Sequence, residues 1–432
     1  VYSERRPKSE DYSMEKRRTV AEIRENVKSA EAVVMTAEEL CSRARSGEEI
    51  RFEDVDVVTS ATCGVMSGTY AVLSVPVATR GEFERAAKVT LNGVPTFVGP
   101  CPNERLGIVD VIVYGPSRRD ISYGGGHLLR ALVAQEEIEV VVETADGREF
   151  ETRTNLAQIP FARLCSTRNA FKNYFAFVNA REDDVASIFS VRTLKGPFME
   201  LTFSGCGELN PLEKDPFMET IGMGTKILMN GAEGFVVGQG TRSSAAKPNL
   251  MGIADMHGML PEYLGGFRTA AGPEILTSWA VPIPIVNEQV LETVKKLDEE
   301  IPLDVLDVHT RLPVGEITYA DVWHDSSVRF ERSSCLECDA CRVANLCPTE
   351  AFDAQTKEID GDVCCNCGAC VQLCTGGAFR CKLGVVTVAG KEIPVTLRQS
   401  DRKRAVKLAE LLKQKIMDGT FTLTEPVARL NE

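Results

Sequence analysis

The stretch Cys335-Leu336-Glu337-Cys338-Asp339-Ala340-Cys341, closed by Cys347-Pro348, is answered by Cys364-Cys365-Asn366-Cys367-Gly368-Ala369-Cys370, closed by Cys374. Each half sets three cysteines two residues apart and a fourth further on. Thiolates at that interval can face one metal centre from a tight turn, and the third closes around the same centre. The fourth points away and reaches the neighbouring centre. The spacing therefore predicts two [4Fe-4S] clusters with crossed ligands. Cys335, Cys338 and Cys341 with Cys374 hold one, and Cys364, Cys367 and Cys370 with Cys347 hold the other. Paired cysteines of this kind also bind zinc, but zinc takes two ligands from each pair and leaves the third cysteine of each half unexplained. The first half carries five residues before its last ligand, so its short helix is expected to bulge or lengthen. Cys374 is followed by Thr375 rather than proline. Cys365 and Cys381 are left over as buried or supporting thiols.

Outward from this stretch the cysteines thin. Of fifteen in the chain, ten lie between Cys335 and Cys381, and only Cys41, Cys63, Cys101, Cys165 and Cys206 lie elsewhere. Disulfide frameworks belong to small secreted domains. At 432 residues the chain exceeds what one core serves, so two or three domains are expected. A formal net charge of −13 argues against a nucleic-acid partner, since phosphate binding needs an excess of Lys and Arg. No apolar run is long enough to span a bilayer, and Val1–Arg6 is polar and charged, so the expectation is a cytoplasmic protein with no membrane partner.

Ahead of the cysteines, Thr19, Val20, Ile23 and Val27 share a helical face, and Thr36-Ala37-Glu38-Glu39 resembles a capping box opening a second helix. Val55–Thr59 is a β-branched run leading into the loop-like Cys63-Gly64-Val65-Met66-Ser67-Gly68. Strands are expected at Ile108–Tyr114, Ile138–Glu143 and Gly234–Val237, and helices at His127–Gln135, Asn169–Val178 and Asn287–Leu297. The mixture reads as an α/β or α+β N-terminal body followed by the two-[4Fe-4S] domain. The divisions are 1–312 for the body, 313–332 for a connector, 333–384 for the cluster domain and 385–432 for a C-terminal hairpin and helix. Asp401 caps that helix, whose polar side carries Arg402, Lys403, Arg404, Lys407, Lys413 and Lys415. It reads as a solvated face of a docking helix or as a surface for an acidic partner.

Single polar groups stand among glycines at Tyr123-Gly124-Gly125-Gly126-His127, at Arg168-Asn169-Ala170-Phe171 and at Gly222-Met223-Gly224-Thr225. Gly124, Gly125, Gly126, Gly222 and Gly224, with Thr225, would let backbone N–H groups approach a substrate, or simply make tight turns. Arg168 and Asn169 read as a carboxylate anchor or as part of an internal salt bridge. His127 reads as a proton donor, a substrate anchor or a structural histidine. Cys63 is the first candidate nucleophile, on a strand-to-loop turn whose backbone donors would lower its pKa, and a small buried hydrophobe otherwise. Cys206, in Ser204-Gly205-Cys206-Gly207, is the second. Cys101 and Cys165 read as core packing.

The cysteine-rich segment resembles two-cluster bacterial-type ferredoxins, which implies a βαββαβ-like fold and an electron-carrying role. The glycine-rich segments, with Ala32–Leu40, resemble the archaeal homocysteine-biosynthesis family, whose activity is L-aspartate semialdehyde sulfurtransfer. The arrangement as a whole is similar to the methanogenesis marker protein 16 metalloproteins. The resemblance implies sulfur incorporation into a small aldehyde, sulfide or another sulfur donor as co-substrate, electrons from the chain's own clusters, and a redox partner protein. It also implies a reactive cysteine after a methionine in a Gly-x-Met-Cys-Ser-Ser-Gly loop. Here the loop is Gly64-Val65-Met66-Ser67-Gly68, and a serine cannot carry a persulfide. The other reading is an electron-delivery or maturation component whose body is a docking scaffold. A homo-oligomeric state is left open by the sequence.

Overall fold

Thirteen consecutive buried residues make the Gly272–Pro284 strand the axis of the molecule. In the computed structural model, which describes residues 16–99, 104–172 and 174–430, this strand pairs antiparallel with Val57–Val65 on one side and with Lys226–Met229 on the other. Cys101 lies outside the described residues. The sheet continues through Ala232–Gln239, Leu250–Asp255, Phe161–Asn169, Thr69–Pro76 and Ile108–Tyr114 to reach eleven strands among the described residues. The pairing of Val34–Thr36 with Val57–Val65 is parallel. Alternation drives the outer strands: Ile108–Tyr114 and Thr69–Pro76 each bury every second side chain, as a half-covered antiparallel surface requires.

Helices cover the sheet where their apolar stripes fit. Thr19 and Thr36 both form capping boxes, opening the helices Val20–Lys28 and Ala37–Arg45. The helix Arg402–Met417, capped by Asp401, buries Ala405, Leu408, Ala409, Leu412 and Ile416 in a core shared with Cys63 and Cys206. Its basic side is largely paired with the body rather than solvated. Arg402 reaches Asp298, Lys413 reaches Glu39 at 2.6 Å, and Arg404 is only 6% exposed.

A second sheet of six strands joins Pro313–Thr318, Pro302–Asp307, Phe175–Val178, Leu201–Phe203, Lys391–Arg398 and Val385–Val388. Residues 313–332, read as a connector, thus contribute a strand to it, and the C-terminal hairpin pairs with Leu201–Phe203. The expected helix over Asn169–Val178 is absent. Asn169 ends a strand, Ala170 turns the chain at φ 49°, and Phe175–Val178 pairs in parallel with Asp304–Asp307.

Between these strands the cysteine-rich segment runs strand, helix, strand, strand, helix, strand. Arg329–Phe330 pairs with Phe379–Arg380, Phe352–Asp353 pairs with Glu358–Ile359, and the helices are Arg342–Leu346 and Ala369–Leu373. Each helix has five residues, so the first half neither bulges nor lengthens its helix. Its extra residues are absorbed because that helix starts after Cys341, whereas Cys370 lies inside the second. Phe330, Phe352 and Phe379 meet at centroid distances of 4.9–5.2 Å and tie the halves together.

Candidate functional site

The second set of thiols is drawn together. Cys347, from the first half, lies close enough to Cys364, Cys367 and Cys370 for its charge to act on all three. Burial pushes the Cys364 thiol up to about 12, and the Asn366 N–H donates to its sulfur at 3.4 Å. Cys335, Cys341 and Cys374 pack at the edge of one apolar cluster, with Ala378 N–H donating to the Cys374 sulfur at 3.4 Å. Cys338 is exposed. Among the described residues no group of three or more His, Cys, Asp or Glu converges on a single metal ion. Cys347, Cys364, Cys367 and Cys370 are thus near enough across the two halves to act on one another electrostatically. Of the spare cysteines, Cys365 is buried and Cys381 accepts from Arg398 at 3.2 Å.

Cys63 is not on a loop. The Val57–Val65 strand runs straight through it, with Ser278 as its cross-strand partner. It is fully buried, and burial pushes its thiol far above the ordinary range, with the Arg404 charge opposing. The Ser278 side chain also opposes the rise by hydrogen bonding, while the strand's own N–H groups serve the sheet. Cys206 is also fully buried and raised by burial, and its thiol donates to the Cys63 carbonyl at 3.5 Å. The structure therefore joins the two candidate cysteines, as unactivated thiols. Cys165 is buried in the sheet, as core packing predicts, and Cys41 accepts from the buried Lys214 at 3.0 Å.

The Cys63 strand is stitched to the C-terminal segment. Val65 N–H donates to Gln399 O at 3.0 Å, Asp401 N–H to Cys63 O at 3.1 Å, and Gly205 N–H to Ser400 Oγ at 2.8 Å. The same segment holds the second thiol set. Arg398 N–H donates to Cys367 O at 3.0 Å, the Arg404 guanidinium to Cys364 O at 3.1 Å, and Asn366 Nδ2 to the Asp401 carboxylate at 3.4 Å. Sequence reasoning took Asp401 only as a cap and Arg404 only as part of a basic face. Their role depends on contacts far apart in the chain, and no local signal announces it.

At the far end of that strand is the Met66–Gly68 turn, with Ser67 exposed. Buried Tyr174 donates to Met66 Sδ at 3.3 Å and takes the Phe171 N–H at 3.2 Å. Arg168 lies against the turn, since a Cβ on Gly68 would come within 3.0 Å of its Cβ. Instead of meeting a carboxylate, its guanidinium stacks 4.6 Å above Phe171, and its Nε has no hydrogen-bond partner among the described residues. Asn169 is turned inward, donating to Thr277 at 3.0 Å, and is structural. Burial raises the Glu274 carboxyl, which Ser67 partly offsets by hydrogen bonding.

His127 belongs to another place. Its Nδ1 accepts the Gly124 N–H at 3.2 Å and its ring stacks on Tyr123. Gly124, Gly125 and Gly126 are explained by close packing, because Cβ atoms there would strike Ser117 O, Tyr114 O and Glu274 O. Gly222, Gly224 and Thr225 lie under the C-terminal segment: Met223 bridges Ala428, Val427 faces Gly224, and Thr225 Oγ1 accepts from Gly222. No helix among the described residues is long and apolar enough to cross a membrane.

Comparison with known proteins agrees with a sulfur-handling body. The chain is 47% identical to an uncharacterised protein of Methanothermobacter thermautotrophicus, over 94% of each chain. It is 28% identical to an L-aspartate semialdehyde sulfurtransferase of Methanocaldococcus jannaschii, over 96% of this chain and 73% of that one. It is 31% identical to an L-aspartate semialdehyde sulfurtransferase of Methanosarcina acetivorans, over 73% of this chain and 64% of that one. No solved structure matches the chain. Residues 32–423 match the family described as homocysteine biosynthesis enzyme, sulfur-incorporation, and the chain belongs to that family.

Proposed function

We propose that this chain is an iron–sulfur member of its family that inserts sulfur reductively into a small aldehyde carrying a carboxylate. Cys335, Cys338, Cys341 and Cys374 would hold one [4Fe-4S] cluster, and Cys364, Cys367, Cys370 and Cys347 the other. When bound, the clusters supply the electrons for the reductive step.

The observation that carries this reading is the Arg398–Arg404 segment, which touches Cys364 and Cys367 on one side and the Cys63 strand on the other. That strand ends at the Met66–Gly68 turn, beside which Arg168, whose Nε has no hydrogen-bond partner among the described residues, would take the substrate carboxylate. The family resemblance puts a reactive cysteine at this turn, and Ser67 cannot take that role. Sulfide then adds to the carbonyl carbon directly. The aldehyde and one hydrogen sulfide give a thioaldehyde and one water, and two electrons with two protons then reduce the carbon–sulfur double bond to the thiol. Glu274, whose raised pKa keeps a proton on its carboxyl to higher pH, stands beside Ser67 to protonate the departing oxygen. Cys63 and Cys206 are packing thiols between the turn and the second thiol set rather than sulfur carriers.

The test is anaerobic reconstitution with iron and sulfide, followed by an assay of homocysteine from aspartate semialdehyde, sulfide and a low-potential reductant. Product is expected, with a loss of about a hundredfold in Arg168→Gln and less than about tenfold in Cys63→Ser. A fully loaded protein that forms no homocysteine would sink this reading. It would favour the electron-delivery alternative, which the missing turn cysteine also fits.

A further inference from the structure

We propose that the outer face of the eleven-stranded sheet is a self-association surface, on which a second copy of this chain docks about a two-fold axis. The outer strands bury every second side chain, and Ala71, Leu73, Val111, Leu164, Val236 and Ala254 enter the largest apolar core. Their alternate neighbours point the other way and are also apolar. Strand pairing sets Tyr114, Tyr70, Ile253 and Phe235 in one row, with Cys165 between them. Phe97, Ile112 and Val72 form the next row, which Arg163 and Asp255 continue. Among the described residues, Tyr70, Val72, Ile112, Tyr114, Phe235 and Ile253 join none of the apolar cores.

The open area suits a dimer. Phe97 is 60% exposed, Tyr114 41%, Phe161 42% and Phe235 45%. At about 200 Å² a ring, these four leave about 400 Å² of aromatic surface open. Tyr70, Val72, Ile112, Met251 and Ile253 are partly exposed among them. They carry the face toward the about 800 Å² per partner of a stable interface. The rings are already set, since Tyr114 meets Tyr70 at 5.7 Å and Phe97 at 5.2 Å, so docking orders little that is not ordered beforehand.

The charges name the occupant. A strongly acidic or basic partner needs a large surplus of the opposite sign, and this face has none. Arg163 pairs with Asp255 at 2.7 Å, Lys226 pairs with Glu233 at 2.7 Å, and the Asp110 carboxylate accepts from Ser74. Two chains of net charge −13 meet with least repulsion where the contact itself is balanced. Arg163 and Asp255 are cross-strand neighbours on inner strands of the face. A two-fold axis between them sets Arg163 of one copy over Asp255 of the other, twice, so the face complements itself. Sheet faces pack in this way about 10 Å apart with their side chains interleaved.

The test is sedimentation equilibrium on the full chain. A dimer with a dissociation constant of about 10 μM or tighter is expected. Phe235→Lys should weaken it at least about a hundredfold, even though the change lowers the net negative charge. Leu312→Lys, in the exposed turn between two strands of the six-stranded sheet, should dimerise as the parent does. Arg163→Asp and Asp255→Arg should each weaken the dimer at least about thirtyfold. An equal mixture of the two should return to within about threefold of the parent, because each copy then supplies the charge the other lacks. That recovery also shows that both variants fold. A monomer at every concentration would leave the face to another part of the chain or to a different protein and would overturn the proposal. So would a dimer indifferent to Phe235→Lys, or a mixture no tighter than either charge variant alone.

Discussion

Gly64 is where the Cys63 strand passes closest to the C-terminal segment, and Gly64→Ala is the most direct probe of that contact. A Cβ there would lie 2.8 Å from Ser400 Oγ and 2.9 Å from Gln399 O. The second atom is backbone, so the segments must part. Parting them strains Val65 N–H to Gln399 O, Asp401 N–H to Cys63 O and Gly205 N–H to Ser400 Oγ. Hydrogen bonds of this kind are worth about 1 kcal/mol each, and overpacking alone costs about 1–3 kcal/mol. The two effects overlap, so about 3 kcal/mol is expected. With an unfolding entropy of about 2.1 cal/mol/K per residue, 432 residues give about 0.9 kcal/mol/K, and the melting midpoint falls by only about 3 °C. Activity is the sharper readout. If the segment couples the second thiol set to the turn, Gly64→Ala should lower homocysteine formation at least about tenfold while keeping about eight irons per chain. Adding Ser400→Ala removes the hydroxyl clash but not the Gln399 carbonyl, so recovery should be partial. A Gly64→Ala protein with parental activity and parental melting would refute the coupling.

If ligation is crossed as proposed, Cys347→Ala removes the cluster of Cys364, Cys367 and Cys370, and Cys374→Ala removes the other. Iron should fall from about eight to about four in each, with different electron paramagnetic resonance spectra in the two variants. Asp56 accepts from Arg18 at 2.6 Å and from Val33 N–H at 2.8 Å, in a nearly buried pair over Phe52. Asp56→Ala should cost about 3 kcal/mol in denaturant titration, and Arg18→Met/Asp56→Leu less, because the double change leaves no uncompensated charge. His127 has a folded pKa near 4, below its ordinary 6.5, so the unfolded chain binds the extra proton first. The parent should lose stability relative to His127→Asn as pH falls from about 6.5 to about 4, and show no difference in slope above that window. Parallel stability curves for the two proteins would refute it.

Local signals in the sequence were enough for many elements. The capping residues Thr36 and Asp401, the strand Ile108–Tyr114 and the C-terminal hairpin appear as read, and the helix expected at His127–Gln135 forms two residues earlier, at Gly125–Val133. The missing helix shows where locality misleads. Phe171, Tyr174, Phe175 and Val178 fall at i, i+3, i+4 and i+7, a helical stripe. Pairing of Phe175–Val178 with Asp304–Asp307, more than a hundred residues downstream, and with Leu201–Phe203 overrides it. The expected loop at Cys63 is replaced by strand for the same reason. The β-branched run stops at Thr59, but the strand continues to Val65 because Gly272–Pro284 offers a partner along its whole length. The relation of Cys206 to Cys63, and of Arg404 to Cys364, is set by tertiary packing and has no local trace.

Where the thiols lie bears on what kind of sulfur chemistry this chain can carry out. A persulfide carrier must be open to its donor and must leave as a thiolate near neutral pH. Cys63 and Cys206 meet neither condition, being sealed in an apolar core with their pKa values pushed up by burial. The turn at the end of the same strand offers the exposed Ser67 hydroxyl, with the buried Glu274 carboxyl, of raised pKa, hydrogen-bonded to it, and Arg168 nearby stacks on Phe171 instead of pairing with a carboxylate. Those groups can hold a carboxylate and move a proton, but they cannot store sulfur. On the proposed reading, sulfur arrives as sulfide at the moment of reaction, and the protein's part would be to bind the aldehyde, protonate its oxygen and bring reducing equivalents to the new carbon–sulfur bond. Clusters held by a cysteine-rich segment placed against the back of that strand would meet the last requirement without any thiol at the turn.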